Sequence, residues 1–146
     1  MYKLRKVLLI DDDSTTLYIN ERIVREMRFA EEIELLRNGK DGFKYIQKHC
    51  DNSPESCPDL VILDHHMPVM DGLEMMENLQ EIGILSKIRA VFLLLAVNSE
   101  EQDIRKFMEL GVQEYTQKPL SKETLLDAYQ KYWADDTVRD HVANKK

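Results

Sequence analysis

At 146 residues, 43% hydrophobic and 32% charged, the chain has the length and composition of one globular domain with a core of its own. Its formal net charge of -7 opposes nonspecific attraction to nucleic acid or to an anionic membrane surface, so neither is expected as a partner. No run approaches the roughly eighteen apolar residues of a membrane span. The start, from Met1 to Lys6, is basic, but only about four apolar residues follow before three aspartates. That is too short for the apolar region of a signal peptide, and a cytoplasmic location is expected. Cys50 and Cys57 match no metal or redox spacing and are expected to be free thiols in a reducing compartment.

In chain order, the first strand is expected at about Lys6 to Ile10, where Val7-Leu8-Leu9-Ile10 runs into Asp11-Asp12-Asp13. Ser14 is positioned to cap the helix that follows, with Leu17, Ile23, Val24 and Met27 as its inward stripe. Ile33 to Leu36 reads as a short second strand, and Asn38-Gly39 turns the chain into a helix carrying Phe43, Ile46 and Cys50 on one face. Asp51 to Pro58 is loop by composition. The third strand, Leu60 to Leu63, is apolar without a break and ends at Asp64, the pattern of a strand buried on both faces. Pro68 and Asp71-Gly72 then redirect the chain. Asp71 with Glu74 has the spacing of a capping box, opening a helix that carries Leu73, Met76 and Leu79.

The fourth strand is expected at Ile88 to Val97. Ser99 with Gln102 suggests another capping box for a helix containing Ile104, Phe107 and Met108, which stops at Gly111. Val112 to Gln117 forms the fifth strand and runs into Lys118-Pro119. Ser121 caps a last helix with Leu125, Ala128, Tyr129 and Tyr132. Strands alternating with helices across short loops predict an α/β fold, a doubly wound parallel sheet with helices on both faces. Residues 1–134 are expected to form this domain, and 135–146, without apolar periodicity, a C-terminal tail that extends the last helix.

In such a sheet ligands bind at the carboxyl edge of the strands. With the first strand beside the third, Asp11, Asp12 and Asp64 converge. Two carboxylates about 4 Å apart repel by roughly 4 kcal/mol at an effective dielectric of 20, so positive charge must offset them. Lys118 and a hard divalent cation are the candidates, because Mg²⁺ takes a few carboxylates, keeps waters and shares phosphate oxygens. A carboxylate beside such an ion, with a lysine opposite, suits nucleophilic attack on phosphorus.

These residues resemble the receiver domain of two-component response regulators. The resemblance runs from Lys6 to about Trp133 and rests on Leu-Ile-Asp-Asp-Asp at 9–13, on Asp64 within Leu-Asp-His-His-Met-Pro-Val-Met-Asp-Gly, and on Lys118-Pro119. It implies a five-stranded flavodoxin-like (βα)5 fold of order 2-1-3-4-5. It also implies a signalling protein rather than an enzyme. Asp64 would accept a phosphoryl group from a histidine kinase or phosphotransfer protein. Asp12, Asp64 and the backbone carbonyl of His66 would hold Mg²⁺, with Asp11 assisting through water. Lys118 would contact the phosphoryl oxygens, the Lys118–Pro119 bond would be cis, and Tyr115 would stand at an aromatic switch position. With no output domain following it, the chain is expected to act alone, through contacts of helix four, strand five and helix five with a downstream protein. Phe107, Met108, Tyr115 and Tyr129 are the candidate contact residues.

One departure bears on the readout. The family carries Thr or Ser at the end of strand four, and counting back from Gly111 and Lys118 puts that position at Ala96. A slip of one residue gives Leu95 or Val97, neither with a hydroxyl, and Ser99 is assigned as a cap. A receiver-like interaction module with a weakened phosphate response is therefore an alternative. Another is a haloacid dehalogenase-type phosphatase using Asp11 as nucleophile and Asp13 as acid/base, from Asp-x-Asp-x-Thr at 11–15. It leaves the Asp64 stretch without a role, and Asp135-Asp136 falls in the tail. A zinc site on His65-His66 is disfavoured, because adjacent residues leaving a strand point apart and no third ligand lies nearby in sequence. His66 is expected to overhang the acidic pocket, and His49 and His141 to lie on the surface.

Overall fold

The computed structural model describes residues 3–51 and 54–134. The expected tail at 135–146 and His141 lie outside them. Five strands, β1 (Leu4–Ile10), β2 (Ala30–Leu36), β3 (Leu60–Leu63), β4 (Val91–Ala96) and β5 (Glu114–Gln117), form one parallel sheet of order β2-β1-β3-β4-β5. The connecting helices are α1 (Ser14–Glu26), α2 (Gly39–Cys50), α3 (Gly72–Glu81), α4 (Glu101–Glu109) and α5 (Lys122–Tyr132).

The period-2 alternation of a strand explains why the central strands read as continuous apolar runs. Leu8, Ile10, Val61, Leu63, Phe92 and Leu94 face α2, α3 and α4, where they meet Ile46, Met75, Met76, Leu79 and Phe107. Val7, Leu9, Leu60, Ile62, Leu93 and Leu95 face α1 and α5, where they meet Leu17, Val24, Leu125, Ala128 and Tyr129. Trp133, just past α5, closes the second layer edge-on to Phe29. The chain moves outward in one direction from β1 to β2 and in the other from β1 to β3. The crevice between the ends of β1 and β3 is thus the topological switch point, where open α/β sheets bind ligands.

Several boundaries differ from the sequence expectation, each for a local reason. Strand β2 starts at Ala30, because Leu4 and Lys6 of β1 pair with Ala30 and Glu32 along a solvent-facing edge. Strand β5 starts only at Glu114. Val112 N–H closes α4 on the Phe107 carbonyl, and the Gln113 side-chain oxygen accepts from Phe92 N–H in place of a ladder bond. The cap of α1 is Asp13, not Ser14: its carboxylate accepts from Thr15 and Thr16 N–H and from the Thr16 hydroxyl at 2.6 Å. The capping box of Asp71 and Glu74 and the Ser121 cap form as expected.

The cysteines require a correction. Cys50 and Cys57 are joined by a disulfide across the α2–β3 connection rather than being free thiols. A 3-10 turn at Pro54–Ser56 folds the segment back, and the Ser56 hydroxyl donates to the His49 carbonyl at 2.8 Å. Among the expected contact residues, Phe107 and Tyr129 are also corrected. Both are buried in the two core layers, whereas Met108 is 38% exposed and Tyr115 is half-buried.

Val69, in the loop after β3, has φ of 73° and is 75% exposed. A β-branched residue in the left-handed region costs roughly 1–2 kcal/mol, and asparagine tolerates it better. Little packing is lost at so exposed a position. The Val69→Asn protein is therefore expected to be more stable by about 1 kcal/mol, as measured by chemical denaturation.

Candidate phosphoryl and cation site

Ile10 and Leu63 are paired in the sheet, so the next residues, Asp11 and Asp64, leave adjacent strands side by side. Their backbones are held by bonds from Asp11 N–H to the Leu36 carbonyl and from Asp64 N–H to the Ile10 carbonyl. Asp11 and Asp64 are buried and Asp12 is exposed. One oxygen from each of the three lies within 4.8 Å of the others. Lys118, following β5, reaches across β4 to place Nζ 2.8 Å from Asp11 Oδ2 and 3.3 Å from Asp64 Oδ2. The Lys118–Pro119 bond is cis, as expected.

The electrostatics follow from that geometry. Burial and the neighbouring Asp11 charge push the Asp64 carboxyl up to about 6, against the opposing pull of Lys118 and the His65 N–H. Burial alone would lower the basicity of Lys118. The hydrogen bond to Asp11 and the charges of Asp64 and Asp11 outweigh it and hold the ammonium above its ordinary value. Three carboxylates and one ammonium leave two excess negative charges when all are ionised, equal to the charge of one hard divalent cation. An all-oxygen donor set with an exposed member, Asp12, fits an ion that keeps part of its water.

The loop after β3 is anchored on both sides. Gly39 N–H donates to the Met70 carbonyl, and Gly72 N–H to the His65 carbonyl, each at 2.8 Å. Gly72 has no substitute here, since a Cβ would lie 2.2 Å from the Asp64 carbonyl oxygen. On the other rim, Arg37 Nη2 donates to the Asp12 carbonyl at 3.0 Å, a contact the sequence pattern did not signal.

The histidines do not point apart. Their rings stack with centroids 3.9 Å apart. His66 is exposed, while His65 is buried, edge-on to Phe107 at 5.0 Å, with Nδ1 sharing a hydrogen bond with Ser99 Oγ at 2.7 Å. Period-2 alternation ends with the strand, so it no longer governs these two side chains. Ser99 is therefore not the cap of α4; that position is Glu100, which makes no side-chain cap bond. His49, expected on the surface, is half-buried against the Tyr45 ring. Ala96 is the last residue of β4 and fully buried, and Tyr115 lies opposite Leu94 in the register. Asp13, the acid/base of the phosphatase alternative, is occupied as the α1 cap.

A family model for the response regulator receiver domain matches residues 7–130, and the chain belongs to that family. It is therefore a signalling domain of two-component systems, whose members bind Mg²⁺ in the acidic pocket. Among curated proteins, it is 29% identical over 143 residues to the probable C4-dicarboxylate response regulator DctR of Priestia megaterium, covering 96% of this chain and 58% of that protein. It is 30% identical to the two-component response regulator ARR22 of Arabidopsis thaliana, covering 82% of this chain and 78% of that one. The chain thus spans little more than half of the first relative and most of the second. Among solved structures, a two-component response regulator from Cytophaga hutchinsonii superposes with a TM-score of 0.79 at 26% identity, covering 90% of this chain and 98% of the other.

Proposed function

We propose that Asp64 is the phosphoacceptor of a two-component phosphorelay. A carboxylate oxygen of Asp64 attacks the phosphorus of a phosphohistidine on a histidine kinase or phosphotransfer protein. The new P–O bond makes an acyl phosphate as the P–N bond breaks, and the donor imidazole leaves with the electron pair and takes up a proton. The observation that carries this reading is Lys118 bridging Asp11 and Asp64 at the switch point of the sheet. Lys118 orients the two carboxylates and supplies a fixed cation for the incoming phosphoryl oxygens. Asp11, Asp12, Asp64 and the backbone carbonyl of His66 would hold Mg²⁺, which when bound neutralises charge on the transferring group.

Residues 1–134 form the receiver unit in this reading, acting in the cytoplasm without nucleic-acid or membrane contacts. Its output is a change in protein contacts at α4, β5 and α5, with Tyr115 as the responding aromatic. Ala96 favours a second reading, an interaction module with a muted phosphate response, because its methyl group offers the phosphoryl oxygens no hydrogen bond.

Intact-mass measurement after incubation with Mg²⁺ and a small phosphodonor tests the proposal. One phosphoryl group is expected on the wild type and none on Asp64→Asn. Labelling that survives in Asp64→Asn, or sustained hydrolysis of a generic phosphomonoester by that variant, would transfer the chemistry to Asp11.

A further inference from the structure

Strand β4 ends in a buried methyl group, so the site has no side-chain hydroxyl there to connect it with the helix that follows. A different connection leaves the site one residue after Asp64. The His65 backbone N–H donates to Asp64 Oδ1 at 2.8 Å. Its ring is buried, stacked on His66 on one side and edge-on to Phe107 of α4 on the other. Its Nδ1 is bonded to Ser99 Oγ in the β4–α4 loop. Since Glu100 makes no side-chain cap bond, the Ser99–His65 pair is a side-chain tie at the start of α4. The same loop turns at Asn98, whose φ of 58° lies in the left-handed region that asparagine tolerates.

We propose that His65 is a positioning residue that passes the state of the Asp64 carboxylate to α4 through Ser99 and Phe107. The inference rests on Asp64 being the phosphoacceptor. Phosphorylating the carboxylate to an acyl phosphate removes its own negative charge and places a phosphoryl group beside it, which changes the bond that Asp64 Oδ1 accepts from His65 N–H. A shift of the His65 backbone carries its Cβ and ring with it. The ring is confined between His66 and Phe107 and tied at Nδ1, so close packing leaves it little room to absorb the shift alone. The displacement appears at Ser99, just before α4, and at the buried Phe107 within it, the two groups that the His65 ring touches on that side.

The test uses the beryllium fluoride mimic with Mg²⁺ on the whole chain. Fluorine NMR reads mimic binding, and amide shifts of Phe107 and Met108 read α4. In the wild type, binding is expected to shift both amides. In Ser99→Ala the mimic is expected to bind as before while the α4 shifts fall by about twofold or more. Ser99→Thr, which keeps the hydroxyl, is expected to restore them. His65→Phe, which keeps an aromatic ring against Phe107 but loses the Nδ1 bond, is expected to behave as Ser99→Ala does. A purely structural role would lower thermal stability without uncoupling bound mimic from the α4 shifts. Undiminished α4 shifts in Ser99→Ala would overturn this inference and leave the phosphoacceptor reading standing. No binding of the mimic to the wild type, together with no phosphorylation of Asp64, would overturn both.

Discussion

Without divalent cations at about pH 8, the Asp64→Asn protein should unfold at higher denaturant than the wild type, by about 2 kcal/mol. The cause is the crowding that suits Asp64 to its role. Its carboxyl group is buried beside Asp11 and titrates at about 6, against 3.8 for the free group. Between those two values the folded protein retains a proton that the unfolded chain has released, so stability falls as pH rises through this window. The loss is complete above the folded value and absent below the unfolded one. A shift of about two units corresponds to roughly 3 kcal/mol. That shift is already net of the 3.3 Å contact with Lys118, which keeps its bond to Asp11 in the variant. The asparagine amide, an imperfect stand-in for the neutral carboxyl, recovers about 2 kcal/mol of it. The gap between variant and wild type should therefore close below about pH 4. Denaturant titrations across this range would check it. A variant no more stable than wild type at the alkaline end would show that Lys118 already neutralises the site.

Gly72→Ala should destabilise the fold by about 3 kcal/mol and slow phosphorylation of Asp64 as well. The new Cβ would meet the Asp64 carbonyl oxygen at 2.2 Å and Leu63 Cγ at 3.2 Å. Neither is a flexible chain end that can swing away. Relief requires α3 to retreat from β3, which breaks the bond from Gly72 N–H to the His65 carbonyl and tilts the residue that carries the nucleophile. Gly83 provides the comparison. It has φ of 77° and nothing within 4 Å of its would-be Cβ, so Gly83→Ala should cost only about 1 kcal/mol and leave phosphorylation unchanged. Paired denaturation and labelling experiments on the two variants separate crowding at the site from backbone strain.

The part of this structure legible in the sequence is the part governed by periodicity and chain order. Unbroken apolar runs such as Leu60–Leu63 have one low-energy use in a two-sided sheet, and short connections then determine which strands are neighbours. Asp11, Asp12, Asp64 and Lys118 could be brought together on paper because each follows such a strand. Side-chain contacts that do not follow from the end of a strand are not legible in this way. Ser99 has the spacing of a cap with Gln102, but a buried imidazole thirty-four positions away takes its hydroxyl. Ser14 and Asp13 are both good caps for α1, and local spacing does not rank them. Phe107 and Tyr129 belong to the apolar sets of their helices, and their burial shows that periodicity was the better guide to them than the expected contact surface. The Cys50–Cys57 pairing depends on a turn that no spacing rule encodes.

The edges of the sheet determine how copies of this domain can meet. Among the described residues, strand β2 pairs on one side only, and an exposed strand edge is a template for another chain to add to. Here three of its seven residues are exposed glutamates, Glu31, Glu32 and Glu34, so a second copy aligned on that edge would set like charges against like. The opposite edge, β5, is four residues long, and Glu114 at its start is held by Lys131 and Tyr132 of α5. Sheet-to-sheet growth, the route by which parallel β proteins form fibres and swapped assemblies, is thus discouraged at both ends. Crowded copies of this domain are left to associate through their helical faces.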